Sequence, residues 1–186
     1  VLGFGNLILA SANVITSFSV LVYVASHNLR SSVARAFCIL SAMIALIYLV
    51  DVSLAEVQTV VSANLWLRLQ WLGIAFIPAA YMHFSVSLLR TTGDTSRWRR
   101  VITWVCYGLS LITVLEAVFG TKIVVTAAQT GNLYHLLPGE LFWLFSIYYL
   151  VVTIAGWVNI LNARSRCLTS TSRRRMSYLS LTFAVP

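Results

Sequence analysis

The chain is poor in charge. Only 10% of its 186 residues are charged, and 59% are hydrophobic. A soluble domain carries about 25% charged residues, so this deficit excludes a water-facing surface over most of the molecule. Acid is scarcer still, with five Asp and Glu against thirteen Lys and Arg and a formal net charge of +8. No folded basic surface accompanies that surplus, so no nucleic-acid partner is expected. The three cysteines, Cys38, Cys106 and Cys167, have a spacing that fits no metal motif. All three map to one side of the predicted membrane layout, the cytoplasmic side, which argues against a structural disulfide. There is no glycine-rich phosphate loop, no nucleophile elbow and no zinc signature. No catalytic residue and no metal site is read from the sequence. A cleavable signal pattern is also missing, and the first apolar run is long enough to be a true span.

Long apolar runs are what the chain does have. A bilayer-spanning helix needs about 20 mainly apolar residues. The sequence predicts spans over residues 2–26, 34–57, 65–89, 101–119 and 139–162, and the start of a sixth over 176–186. These runs are helices by elimination. An open sheet cannot satisfy its backbone in lipid, and the runs lack the in–out alternation of an outer-membrane barrel. The expected fold is therefore all-α, a polytopic membrane bundle forming one domain over residues 1–186, with lipid as its solvent. The stretch 120–140, "GTKIVVTAAQTGNLYHLLPGE", is too polar to span, and the sequence leaves open whether it is ordered. The sixth run stops at Pro186, about 16 Å along a helix, so the chain reads as part of something longer.

Arginine sets the orientation. Arg30, Arg35, Arg90, Arg97, Arg99, Arg100, Arg164, Arg166, Arg173, Arg174 and Arg175 make up eleven of the thirteen basic residues, all in loops on one side; only Arg68 and Lys122 lie on the other. This positive-inside bias predicts an external N-terminus and cytoplasmic arginine-rich loops. The tryptophans agree. Trp66, Trp71 and Trp143 fall near the outer ends of spans, and Trp98, Trp104 and Trp157 near the inner ends, where indole favours the headgroup layer.

Polar residues within the runs are the candidate sites. Intramembrane acids are functional candidates because burying them is costly. Asp51 and Glu56 lie toward the outer end of the second run, and Arg68 starts the third after a short turn. An ion pair of Arg68 with Asp51 or Glu56 is one expectation. The other is an outward-facing rim of Asp51, Glu56, Arg68, Glu116 and Glu140 that senses a ligand, cation or proton. Pro78 is a candidate hinge in the third run. His83 and His27 sit at similar depth on different spans. Each could ligate haem or bacteriochlorophyll through a neutral imidazole, or serve in helix packing. His135 is expected to be solvated. Asn6 and Asn13, seven apart on the first run, suggest hydrogen bonds to another helix.

Three stretches carry a resemblance. "LWLRLQWLGIAFIPAAYMHFSVSLL" places Arg68, Gly73, Pro78 and Phe84 in a pattern similar to the third span of the seven-helix N-terminal module of bacterial sensor histidine kinases. "GNLYHLLPGELFWLFSIYYLVVTIAGWVNIL", with Gly131 and Pro138, resembles that module's outer loop and fifth span. "SRRRMSYLSL" resembles the arginine-rich start of its sixth. The same module also precedes diguanylate cyclases. The resemblance implies seven helices, an external N-terminus and a cytoplasmic C-terminus followed by a signalling domain, in a multi-pass protein of the bacterial cytoplasmic membrane. Any kinase or cyclase activity would then lie downstream, no cofactor is expected, and a sensor of this kind is expected to be a homodimer. The alternative is an accessory subunit of a respiratory or photosynthetic complex, in which pigment or haem would be bound and other subunits would be the partners.

Overall fold

The computed structural model describes residues 2–93, 96–130 and 133–167, together with Arg174, Ser177 and Tyr178. Among the described residues, five helices are long and apolar enough to cross a membrane. They are α1 (Leu2–Asn28), α2 (Ser32–Leu54), α3 (Val60–Thr91), α4 (Arg97–Phe119) and α5 (Phe142–Ser165), with strands β1 (Val124–Thr130) and β2 (Leu133–Pro138) between α4 and α5. The chain is thus a polytopic helical bundle. The predicted sixth span, 176–186, lies outside the described residues.

The helices alternate in direction, so the bundle has two ends. One end carries the α2–α3 connection and the two strands; the other carries the arginine-rich connections. α3 is central and packs against α2, α4, α5 and both strands, while α1 packs chiefly on α2. Small residues make the central position workable. A Cβ on Gly73 would lie 2.6 Å from Ile47 Cγ1, so α2 and α3 meet there at close range. A Cβ on Gly156 would lie 2.5 Å from the Tyr81 ring, which sets the approach of α5 to α3. Ala36, Ala80, Tyr81, Phe84 and Ile160 fill the core at this level. Lipid offers no hydrophobic force between helices, so close packing and polar links must supply it.

The polar links are specific. Asn159 on α5 is buried and donates from Nδ2 to Ser85 Oγ on α3 (3.3 Å), and it accepts from Arg99 on α4. Tyr148 on α5 donates to the Cys106 carbonyl on α4 at 3.0 Å, and its hydroxyl lies 3.2 Å from Ser110 Oγ. Each link joins different helices and satisfies groups that lipid would leave unpaired. The links expected from Asn6 and Asn13 do not form among the described residues. Both residues are exposed on the outer face of α1, and Thr16 bonds back to Ala12 of its own helix at 2.8 Å. α1 meets α2 through its other face, which leaves these amides turned away from α2.

α3 is longer than its apolar run implies. The segment 58–64, expected as a polar turn, mostly joins the helix. Thr59 caps it, with the side chain accepting from the Ser62 backbone N–H at 3.3 Å. At 32 residues, α3 spans about 48 Å against a hydrocarbon thickness of about 30 Å. Its first turns therefore stand clear of the hydrocarbon, and the strands dock there.

The strands form an antiparallel hairpin whose register slips between Val124 and Ala127, the mark of a bulge. Val124 and Ala127 are buried against the bundle. Ile123 and Val124 pack with Trp71, Ala75, Val114, Ala117 and Phe145 in a core beneath the hairpin. At its base, Gly139 lies against the Thr121–Lys122 backbone where a side chain would not fit. Gly139 N–H donates to Ile123 O and Leu141 N–H to Lys122 O, both at 2.8 Å.

Candidate functional site

Arg68 shows how the hairpin is held. Its Nη1 donates to the carbonyls of Ala117 (2.8 Å), Val118 (2.8 Å) and Gly120 (3.1 Å), and its Nη2 to that of Val125 (2.7 Å). The first three belong to the C-terminus of α4, where helix carbonyls have no intrahelical partner and carry the negative end of the dipole. The fourth sits at the bulge of β1. One turn earlier on the same face, Asn64 Oδ1 accepts from the Ala127 N–H at 3.2 Å. The bulge thus frees one carbonyl and one N–H, and two side chains of α3 spaced i, i+4 take them up. The ion pair expected between Arg68 and Asp51 or Glu56 does not form, because the guanidinium is turned to the backbone carbonyls of α4 and β1.

The acids at this end take different partners. Glu116 turns back over Gly120, and its Oε1 accepts from the Lys122 backbone N–H at 3.0 Å. Glu56 and Glu140 are exposed, just past the end of α2 and just before α5. Asp51 stands apart from these. Gln70 on α3 donates from Nε2 to Asp51 Oδ1 at 2.6 Å and reaches the Ile47 carbonyl at 3.4 Å.

Asp51 and Gln70 open onto a cavity of about 300 Å³ between α2, α3, the start of α5 and the hairpin. Trp71 and Phe142 supply an aromatic wall, with ring centroids 6.3 Å apart and nearly perpendicular. Tyr134 and His135 supply the lid from β2. His135, expected to be solvated, is exposed; it lies in β2, where its backbone pairs with Ala128, and it lines this space. The volume lies at the small end for ligand pockets of about 300–1,000 Å³.

The remaining candidates lie elsewhere. Pro78 is fully buried in the middle of α3, which continues through it. Packing on all sides is what allows a helix to keep a proline and its freed carbonyl in lipid. His83 faces the gap between α2 and α4, where its Nδ1 lies 3.2 Å from Tyr107 Oη. His27 is exposed at the end of α1 and stacks on Tyr23 with centroids 4.8 Å apart. His27 does not line the gap that His83 faces. Among the described residues, no group of three or more His, Cys, Asp or Glu could hold a metal.

A model of the N-terminal 7TM region of histidine kinase matches residues 8–186. The chain belongs to that family. No curated protein and no solved structure matches it. Within this histidine-kinase 7TM region, the pattern residues of the third span have physical roles. Arg68 fastens α3 to α4 and the hairpin, Gly73 admits α2, and Pro78 sits in the core. The residues not anticipated are Gln70, Trp71, Tyr134 and His135, the walls of the cavity. Trp71 shares the face of Asn64 and Arg68 at i+7 and i+3, and that spacing was the available signal. This family and the five long apolar helices together mark a multi-pass membrane protein.

Proposed function

We propose that this membrane domain is a sensory input module, which detects a signal at its hairpin end and relays it to an output domain at its arginine-rich end. The arginine asymmetry supports the orientation, with the hairpin and N-terminus outside and the arginine-rich connections in the cytoplasm of a bacterial inner membrane. The observation that carries the reading is α3. One continuous helix forms a wall of the hairpin cavity through Gln70 and Trp71, holds the hairpin through Asn64 and Arg68, and ends beside Arg90 at the opposite face. A ligand seated against Asp51 and His135 would bind one arrangement of hairpin and helix better than another. Differential binding of that kind is the only way a ligand can shift a two-state bundle. A displacement of α3 at the cavity then reaches whatever follows at the cytoplasmic face.

The test uses the full-length protein with its native downstream domain. Asp51→Asn, Tyr134→Ala and His135→Ala should each change the output while membrane insertion and folding stay normal. Unchanged output in all three would overturn the reading. If a haem or pigment band were also present and vanished on His83→Ala, the accessory-subunit alternative would replace it.

A further inference from the structure

A second cavity lies at the arginine-rich end. α2 and α4 flank α3 and barely touch one another, which leaves a groove of about 720 Å³ along one face of α3. Its mouth is cationic. Arg35 lies in the first turn of α2, Arg100 in the first turn of α4 and Arg90 in the last turn of α3, so the three guanidiniums share one depth. All three are exposed, and none is met by a carboxylate among the described residues. The N-termini of α2 and α4 add their positive dipole ends at the same level.

Below the mouth the walls change character. His83, about 10 Å further down α3, meets Tyr107 in the one polar pair at mid-depth of the groove. Phe76, about 10 Å deeper again, lies with Leu111 in an apolar floor, while Ile39 lines the α2 wall one turn below Arg35. Gly108 keeps the α4 wall open, since a Cβ there would meet nothing within 4 Å. Trp104 lines the rim and is 71% exposed, as suits an indole at the headgroup layer.

We propose that this groove binds an anionic phospholipid, with the phosphate among Arg35, Arg90 and Arg100 and one acyl chain laid along the groove over Gly108 toward Phe76. The order of chemistry, cationic at the interface and apolar toward the membrane centre, matches that of a lipid. Basic pockets between membrane helices on the cytoplasmic side are suited to acidic headgroups. An apolar helix of the same chain would fit the floor but give the arginines no counter-charge. Four of the five acids, Asp51, Glu56, Glu116 and Glu140, lie at the opposite end, and only Asp94 falls between Arg90 and Arg100 in the sequence. The site is separate from the hairpin cavity and does not depend on the sensory role proposed for it.

The test places the full-length protein in phosphatidylcholine vesicles containing brominated phosphatidylglycerol, and follows quenching of the Trp104 fluorescence. That signal is the difference between the parent and Trp104→Phe. The expected result is saturable quenching at low mole fractions of brominated phosphatidylglycerol and weak quenching by brominated phosphatidylcholine. Each of Arg35→Gln, Arg90→Gln and Arg100→Gln should raise the half-saturating fraction about fivefold, and the triple variant about a hundredfold. These side chains are exposed, so the variants should fold. Gly108→Phe fills the groove without touching the arginines, and it should abolish the saturable component. Equal quenching by both lipids would overturn the proposal, as would indifference to Gly108→Phe, which would leave only diffuse surface attraction. Displacement by millimolar inorganic phosphate would make this a phosphate site instead. Absence of quenching by either lipid would mean that another part of the chain covers the groove.

Discussion

Arg68→Leu should destabilise the protein by about 3–4 kcal/mol. Four carbonyls, those of Ala117, Val118, Gly120 and Val125, lose a charged donor at once. A hydrogen bond to a charged group contributes about 1.5–3 kcal/mol. The four are not additive, because one guanidinium serves all of them and water reaches part of this surface. About two full bonds' worth is the reasonable total. Arg68→Lys should recover roughly half of it. An ammonium keeps the favourable charge at the C-terminus of α4, but it cannot bridge α4 and the Val125 carbonyl as the forked guanidinium does. Unfolding in mixed detergent micelles, followed by circular dichroism, gives the difference between variants. Combining Arg68→Leu with Asp51→Asn or Glu56→Gln should give additive losses, since neither acid is its partner. A loss below about 1 kcal/mol, or rescue by either acid variant, would refute the backbone-latch argument.

The other predictions concern packing, polar links and orientation. Gly156→Leu should cost at least about 1–3 kcal/mol through overpacking against Tyr81, and Tyr81→Ala in the same chain should restore part of it; additive losses in the same unfolding assay would count against the contact. Asn159→Leu should cost about 1–3 kcal/mol by leaving Ser85 and Arg99 without its amide, and Asn159→Asp should cost less than Asn159→Leu because the acceptor to Arg99 remains. A single cysteine at Thr92, in a chain lacking Cys38, Cys106 and Cys167, should resist a membrane-impermeant thiol reagent in intact cells and react after permeabilisation; one at Thr126 should react in both.

The helices were legible because lipid demands long apolar runs, and the sequence has little else. Their ends were less so. Val60 to Asn64 joins α3 through the Thr59 cap, and a polar stretch outside the bilayer obeys capping rather than hydropathy. The hairpin was readable in principle. Val124, Val125 and Thr126 are β-branched, and Gly-Asn separates the two strands, which is a hairpin signal. Its weak alternation and the bulge obscured it. The partner of Arg68 was not readable at all, because its acceptors are backbone carbonyls that no residue pattern advertises. A charge beside two acids invited an ion pair, yet helix geometry turned Asp51 toward Gln70 instead. The cavity was invisible for a related reason. It exists only once β2 folds over α2 and α3, and that docking depends on Asn64 and Arg68.

The central claim is that hairpin and α3 move relative to one another to set the output. Locking them tests it most directly. Asn64 Oδ1 and the Ala127 backbone nitrogen lie 3.2 Å apart, so the two residues are neighbours, and Asn64→Cys/Ala127→Cys is the pair to link by oxidation. The measurement is the activity of the native downstream domain in the full-length double variant, oxidised and then reduced in the same membranes. The account predicts that oxidation fixes the output at one level, and that reduction restores the behaviour of the parent. Equal output in the two states, with the disulfide shown to have formed, would contradict it.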